Sequence, residues 1–324
     1  MMKLLLLLLI VPVLGFGQGE QRYADGTATD QGGNTFEWIT YGTQDWAIEN
    51  AEIVTYRYGT SIPQVTDDTE WAWLTKGAWC YYDNDPTKGK LYNWYAVMGI
   101  HDNDENTPNK EFAPDGWHVP TDAEWTTLEE YLIANGYNYD GSTAGNKIAK
   151  AMASTTGWNS ATNTGAPGDD QSLNNSSGFN AFPEGTRVAS GSFGIEGYNA
   201  IFWSSTESNA NSAWYRYMFG LEGYLARLND YKLMGLSVRF VRDASTASIN
   251  DYSNAITIYP NPNSSTIEVK QEFSVAKVYS FTGQELLKSK SKTIDISELP
   301  SGVYLLRLYD KSNKVLGTSK VVKQ

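Results

Sequence analysis

Residues 113–125, A-P-D-G-W-H-V-P-T-D-A-E-W, combine a turn, a short strand and the start of a helix. Pro114-Asp115-Gly116 predicts the turn, because proline presets φ and glycine adopts a positive φ at little cost. Trp117-His118-Val119 is bulky and partly β-branched, which predicts a strand. Pro120 ends that strand, since it has no amide hydrogen for a ladder and holds the preceding residue extended.

A helix is predicted directly after this proline. Thr121 and Glu124 have the spacing of a capping box, in which each side chain accepts a hydrogen bond from the backbone amide of the other residue. Three apolar residues then recur at helical spacing on one face: Trp125, Leu128 and Leu132. Asn135-Gly136 supplies a left-handed stop, so we expect a helix from Asp122 to Ala134.

The chain around this segment consists mainly of short strands and loops. Alternating patterns predict strands at Thr35 to Ile39 and at Asp45 to Ile48, joined near Tyr41-Gly42. A second, shorter helix is expected near Asn146 to Ala153. Few helices, many short strands and long loops predict an α+β unit.

The same residues carry a family resemblance. The run G-W-H-V-P-T-D-A-E-W at 116–125 resembles the signature of the Fibrobacter succinogenes major paralogous domain, and further motifs follow the family's order at 77–82, 90–97, 177–181, 202–207 and 237–243. The run is also similar, more distantly, to a segment of formylglycine-generating and sulfatase-modifying proteins. This resemblance implies a C-type-lectin-like fold for residues 18–243.

Composition divides the chain into two parts. Residues 18–243 contain 14 Lys and Arg against 30 Asp and Glu, a net charge of −16, whereas residues 244–324 contain 10 against 7, a net of +3. All 11 Trp and both His precede residue 244. We therefore expect two domains with a polar linker at 244–255. The acidic first domain repels nucleic acid and anionic membranes, so neither is an expected partner.

The N-terminus has the pattern of a signal peptide. Met1-Met2-Lys3 provides a positive charge, and Leu4 to Leu14 is an apolar run too short to span a bilayer. Small residues flank the expected cleavage before Gln18, which gives a signal peptide of residues 1–17. No cysteine follows the apolar run, so a lipoprotein anchor is not expected, and no later segment is predicted to span a membrane.

The C-terminal part changes pattern. Short strands are predicted at Thr266 to Val269, Ala276 to Phe281, Thr293 to Ile296, Val303 to Leu308 and Val315 to Val322. Regular spacing with turn residues between the strands predicts a small antiparallel β-sandwich.

The motifs Y-P-N-P at 259–262, F-T-G-Q at 281–284 and L-P-S-G-V-Y at 299–304 accompany these strands. In this order they resemble the C-terminal sorting domain of the type IX secretion system, covering residues 256–324. That resemblance implies recognition by the type IX machinery. It also implies export across the outer membrane of a Bacteroidetes-type bacterium, usually with removal of the domain.

Aromatic side chains supply a candidate ligand surface. Flat rings suit the apolar face of a pyranose, and the candidate stacking residues are Trp71, Trp73, Trp203, Trp214 and Tyr215. The competing interpretation is that these residues fill a core without disulfides, which needs large side chains.

A calcium loop is a second candidate. Asp102, Asp104 and Asn106 place oxygen ligands at alternate positions, as calcium loops do. The glycine and the later glutamate of such a loop are missing, so a solvated acidic loop is the competing interpretation, and no cofactor is expected.

Candidate catalytic groups are few. Cys80 is the single cysteine, whereas formylglycine-generating enzymes use a pair of cysteines. Formylglycine-generating activity is therefore not expected of this chain. His118 with Asp122 or Glu124 is a candidate pair for general acid–base catalysis, although the Glu124 carboxylate is already expected to accept a hydrogen bond in the helix cap. Arg239 and Arg242 alternate with apolar residues, which favours edge-strand ion pairs over a carboxylate site.

Together these features favour a secreted or cell-surface protein that binds a ligand without catalysis. A polysaccharide or a surface protein is the expected partner, and export is expected through the type IX system. An enzyme on the formylglycine-generating scaffold is the alternative.

Overall fold

The computed structural model describes residues 22–104, 106–244, 256–280, 285–311 and 315–324. The chain divides into two compact units, residues 1–245 and 246–324. We refer to the described parts as the head (22–244) and the tail (256–324). The predicted signal peptide and nearly all of the predicted linker lie outside the described residues.

The head is built mostly from short strands. Its strands are β1 (Gly26–Thr29), β2 (Thr35–Tyr41), β3 (Gln44–Ala47), β4 (Trp79–Tyr81), β5 (Lys90–Tyr92), β6 (Thr186–Arg187), β7 (Phe193–Gly194), β8 (Asn199–Asn209), β9 (Ser212–Phe219), β10 (Leu225–Tyr231) and β11 (Val241–Asp243). Its helices are α1 (Asp68–Ala72), α2 (Trp94–Val97), α3 (Asp122–Ala134) and α4 (Ala149–Met152). Two 3-10 turns are added at Tyr82–Asn84 and Gln171–Leu173. The longest of the described helices has 13 residues, and none of them is long and apolar enough to cross a membrane.

Two antiparallel sheets organise the head. One has the order β1-β2-β3-β11, so that the last strand pairs with the third and Val241 lies opposite Trp46. The other has the order β10-β9-β8. Across the described residues the chain is mostly β with few helices, which is the part of the α+β expectation that the structure confirms.

Helix α3 follows the sequence prediction residue for residue. The Thr121 side chain accepts a hydrogen bond from the amide of Glu124, and the Glu124 carboxylate accepts one from the amide of Thr121. Trp125, Leu128 and Leu132 are buried on one face. Helix α4 is shorter than predicted, with four residues, all of them buried.

Strand β8 separates two apolar cores. Successive side chains of a strand point to opposite faces, so Ile201 and Trp203 enter a core shared with α2. Ala200 and Phe202 enter a second core that includes the buried face of α3. Large aromatic side chains fill both cores, which is how a domain with one cysteine and no disulfide buries enough apolar surface.

The tail has seven described strands: β12 (Ile258–Tyr259), β13 (Thr266–Val269), β14 (Val275–Tyr279), β15 (Glu285–Ser289), β16 (Thr293–Asp295), β17 (Gly302–Tyr309) and β18 (Val315–Lys323). They form two antiparallel sheets, β12-β13-β16 and β15-β14-β17-β18. Ile267 and Ile294 from the first sheet meet Val278 and Leu306 from the second in one core. Strand β15 was not predicted, because its sequence E-L-L-K-S lacks an alternating pattern.

Candidate functional site

Two of the five predicted stacking residues are structural. Trp71 and Trp203 are completely buried, so neither can stack on a sugar, and their prediction as ligand-binding residues is wrong. The indole of Trp71 donates to the carbonyl of Leu233 (2.8 Å), and the indole of Trp203 donates to the carbonyl of Tyr92 (2.9 Å). Burying a tryptophan requires a partner for its N–H, and both side chains have one.

The other three residues remain at the surface to different degrees. Trp73 is 81% exposed at the end of α1. Trp214 is half-buried, and the guanidinium of Arg227 lies 3.4 Å from its ring centroid, which covers one ring face. Tyr215 is half-buried on the opposite face of β9.

Tyr215 belongs to an aromatic strip that the sequence analysis did not identify. Tyr215, Tyr217 and Phe219 occupy alternate positions of β9 and therefore point to the same face of the sheet. The register places Leu228 of β10 directly opposite Tyr215, so Leu228 extends the same face. Leu228 is 44% exposed, and Tyr224, in the β9–β10 connection, is 48% exposed.

Ring contacts hold the side chains of the aromatic strip in place. The Tyr215 ring meets the buried Trp203 edge-on at 6.1 Å, and the Tyr217 and Phe219 rings stack at 6.2 Å with 29° between their planes. Burial raises the pKa of Tyr215 to about 12 and also raises the pKa of Tyr217. The strip therefore stays neutral at ordinary pH and offers a fixed, mainly apolar surface.

The other face of β9 is anchored to α3 by Arg216. This fully buried guanidinium contacts Glu129 and donates to the Asp122 carboxylate (2.6 Å). Arg227 adds bonds to the same Asp122 carboxylate at 2.9 Å. Burial would raise the pKa of Asp122, but the two guanidinium groups outweigh it and lower the pKa. Asp122, considered above as a catalytic partner of His118, is thus engaged in fixing the sheet to the helix.

A cleft of about 490 Å³ lies between the loops near residues 136–141 and 164–176. Tyr137, Tyr139 and Leu173 line it together with Lys150 and Asp169. The Lys150 ammonium group at the cleft already has three partners in the protein. It donates to the Asp170 carbonyl (3.0 Å) and the Asn174 amide oxygen (3.1 Å), and it also contacts the Asp169 carbonyl. A lysine has three donors, so Lys150 stabilises the loops and has none left for a ligand.

The predicted calcium loop is folded by its own side chains. The Asp102 carboxylate accepts from the amide of Asp104 (3.0 Å), and the Asp104 carboxylate accepts from the amide of Asn106 (3.0 Å). Within the described ranges, no three His, Cys, Asp or Glu side chains are grouped so that they could hold a metal ion.

His118 is tied to the helix cap. Its Nε2 lies 2.6 Å from Oε1 of Glu124, and the hydrogen bond raises the pKa of His118. A pocket of about 320 Å³ beside it is lined in part by His118, Thr121 and Ser205. Glu124 therefore binds His118 and the helix cap at the same time.

Cys80 lies in a small core with Trp71 and Leu91. Burial raises the pKa of its thiol to about 11, so the reactive thiolate is scarce at neutral pH.

The two arginines near the end of the head differ from each other. Arg242 pairs with Asp45 at 2.9 Å, as predicted. Arg239 is not an edge-strand ion pair: it is 1% exposed and donates to the Asn50 side chain and to the carbonyls of Ala47, Phe179 and Asn180. Its isolation from solvent lowers its pKa to about 10, and its role is to satisfy buried carbonyl groups.

Comparison with known families identifies both parts of the chain. Residues 39–242 match the Fibrobacter succinogenes major domain, and residues 257–324 match the secretion system C-terminal sorting domain. The chain belongs to the Fibrobacter succinogenes major domain family, and it ends in a type IX sorting domain that directs export to the cell surface or beyond. The type IX machinery is therefore a partner of this protein.

No curated protein matches this chain. Among solved structures, it is similar to PorZ, described as an essential bacterial surface component of the type-IX secretion system of Porphyromonas gingivalis. The identity is 19%, the alignment covers 36% of this chain and 16% of that chain, and the TM-score is 0.19.

Proposed function

We propose that this exported protein binds an extracellular polysaccharide, without altering it, through the aromatic strip on β9. The observation that carries the proposal is the alignment of Tyr215, Tyr217 and Phe219 on one sheet face, with the exposed Leu228 and Tyr224 beside them. Side chains two residues apart on a strand are separated by about 6.5–7 Å. Three such rings form an apolar row along which we expect successive sugars of an extended chain to pack.

Charge and burial support a neutral or cationic ligand. The net charge of −16 over residues 18–243 disfavours phosphate-rich polymers. Stacking by half-buried, rigid rings costs little side-chain entropy on binding. We expect weak binding at a single site, little dependence on salt, and little effect of a calcium chelator.

The finer fold assignment belongs to the same proposal. We infer that the head has a C-type-lectin-like arrangement, as the family resemblance implies. Two features support it: β11 pairs with β3 near the start of the head, and α3, the longest of the described helices, packs against β2, β8 and β9.

The test is a glycan array probed with the full chain lacking residues 1–17. Tyr217→Ala and Leu228→Asp should each reduce binding to any glycan hit at least about fivefold, because each removes contact area from the strip. Tyr23→Ala is the matched control, since it deletes an exposed aromatic residue outside the β10-β9-β8 sheet. Thermal unfolding of each variant separates lost binding from lost folding.

Two outcomes would reject the proposal. Saturable binding to a surface protein with no glycan hit would leave an adhesion role. Release of smaller products from a bound glycan would favour the enzyme alternative, and His118→Gln would then test whether the His118–Glu124 pair acts in it. Asp169→Asn examines the cleft instead of the strip, because Asp169 lines the cleft.

A further inference from the structure

Four cationic side chains share the outer face of the larger tail sheet. The register places Lys277 of β14 directly opposite both Lys288 of β15 and Arg307 of β17. Lys320 of β18 lies opposite Leu305, two residues before Arg307, and therefore belongs to the same face. The core side chains of these strands, such as Val278 and Leu306, point to the other face. We call Lys277, Lys288, Arg307 and Lys320 the cationic face.

The arrangement is costly for the sheet itself. Like charges directly opposite each other on neighbouring strands destabilise a sheet. Among the described residues of the tail, the cationic face shows one ion pair, from Lys277 to Glu285 at 2.8 Å. Folding of the sandwich relies on the opposite, apolar face, so it does not explain why four strands bring their cations together.

Aromatic and aliphatic groups lie between the cations. The hydroxyls of Tyr279 and Tyr309 are 2.9 Å apart across β14 and β17. Lys277 lies 5.4 Å from the Tyr309 ring centroid, and the Arg307 guanidinium lies 5.6 Å from that of Tyr279. Val303, on the same face, is 43% exposed. Tyrosine and arginine beside exposed aliphatic groups are typical of protein–protein interfaces.

We propose that the cationic face is the surface by which the sorting domain docks onto an acidic protein of the type IX machinery. The partner must be acidic because the face is positive, in a tail of net charge +3 joined to a head of net charge −16. A protein fits better than an anionic lipid headgroup, because the exposed Val303 and the Tyr279 ring beside Arg307 would gain no apolar contact from a phosphate group.

The experiment measures export of the full chain in its native host. Arg307→Glu with Lys320→Glu reverses two charges of the face, and we expect roughly a tenfold lower surface or medium fraction, with accumulation in the periplasm. The neutral pair Arg307→Gln with Lys320→Gln should give an intermediate loss. Lys270→Glu with Lys311→Glu makes the same charge change at exposed residues outside the strands of this sheet and should leave export unchanged.

Two further measurements keep the result decisive. Thermal unfolding of the purified variants must match the wild type, because a destabilised tail would also block export. A photo-crosslinking residue at Val303 should capture an acidic type IX component in cells. Wild-type export of the folded double reversal, an equal loss in the control pair, or crosslinking to lipid rather than protein would each overturn the proposal.

Discussion

His118 Nε2 and Glu124 Oε1 are 2.6 Å apart, and this contact links the segment before α3 to the cap of that helix. The strand predicted at Trp117-His118-Val119 is not formed, since its backbone pairing is a single bridge at His118. The other oxygen of Glu124 accepts from the amide (2.7 Å) and the hydroxyl (2.8 Å) of Thr121. The backbone of His118 meanwhile bridges to Val241 at the end of the head. One carboxylate therefore joins the start of α3 to the strand that closes the first sheet.

The pair makes stability depend on pH. The hydrogen bond to Glu124 raises the pKa of His118 in the folded protein above the value of about 6.5 that it has in an unfolded chain. The stabilisation of the fold by protonated His118 is therefore complete below about pH 6.5 and is lost as the pH rises through the raised pKa. Burial alone would raise the pKa of Glu124, but the bonds from His118 and Thr121 lower it. The stabilisation of the fold by ionised Glu124 is therefore complete above about pH 4.3, the pKa in an unfolded chain, and is lost as the pH falls through the lowered pKa.

His118→Gln should therefore destabilise the head most between about pH 4.3 and pH 6.5. The loss should be on the order of 0.5–1 kcal/mol, since the half-exposed pair is screened by solvent. Urea unfolding at a series of pH values measures it. His101→Gln, at the only other histidine, is the control, and an identical pH profile for both variants would contradict the assignment.

The capping box gives a second prediction. Thr121→Ala and Glu124→Ala should each lower the free energy of unfolding by about 1 kcal/mol. The Glu124 loss should be the larger, because it also removes the bond to His118. The double variant should lose less than the sum, since each residue caps the other's amide. Strictly additive losses in the double-mutant cycle would exclude the reciprocal cap.

Arg239→Met should be among the most damaging substitutions in the head. It leaves the Asn50 side chain and three backbone carbonyls without their donor in a buried site. We expect a loss of at least about 3 kcal/mol in the free energy of unfolding, measured by urea denaturation. Arg22→Met removes an arginine from a partly exposed pair with Asp25 and should cost no more than about 1 kcal/mol. Similar costs for the two variants would contradict the buried role.

Truncation after Ala244 tests whether the tail is needed for export and not for folding of the head. The head keeps its own cores and its closing strand β11, so it should fold and remain in the periplasm. Cell fractionation with antibodies to the head measures this, and circular dichroism of the truncated protein checks its folding. Normal delivery of the truncated protein to the surface would show that the tail is not the export signal.

Local sequence was sufficient for features that depend on neighbouring residues. The limits of α3, its capping box and the turn before it were predicted, because caps and turns are satisfied within a few residues. Most tail strands were predicted for the same reason, since alternation and turn residues are local signals. Strand β15 was missed because its pairing partner, and not its own pattern, makes it a strand.

Residues whose role depends on distant partners could not be assigned from sequence. Trp71 and Trp73 are only two residues apart in the sequence, yet Trp71 is buried and Trp73 is exposed. The carbonyl of Leu233 decides the environment of Trp71, and it is more than 160 residues away. Arg239 was likewise predicted to be an edge-strand residue, because the sequence does not show that the carbonyls of Phe179 and Asn180 accept its hydrogen bonds.

The sequence by itself determined the two families, the export signal and the main helix, because motifs and caps are written in consecutive residues. Only the tertiary structure decided which aromatic rings form the strip on β9 and which cations share one face of the tail. Both surfaces arise from the register between strands, and register is fixed by the burial of the opposite sheet face. A ring or a charge becomes part of a surface only when its neighbours across the sheet point the same way.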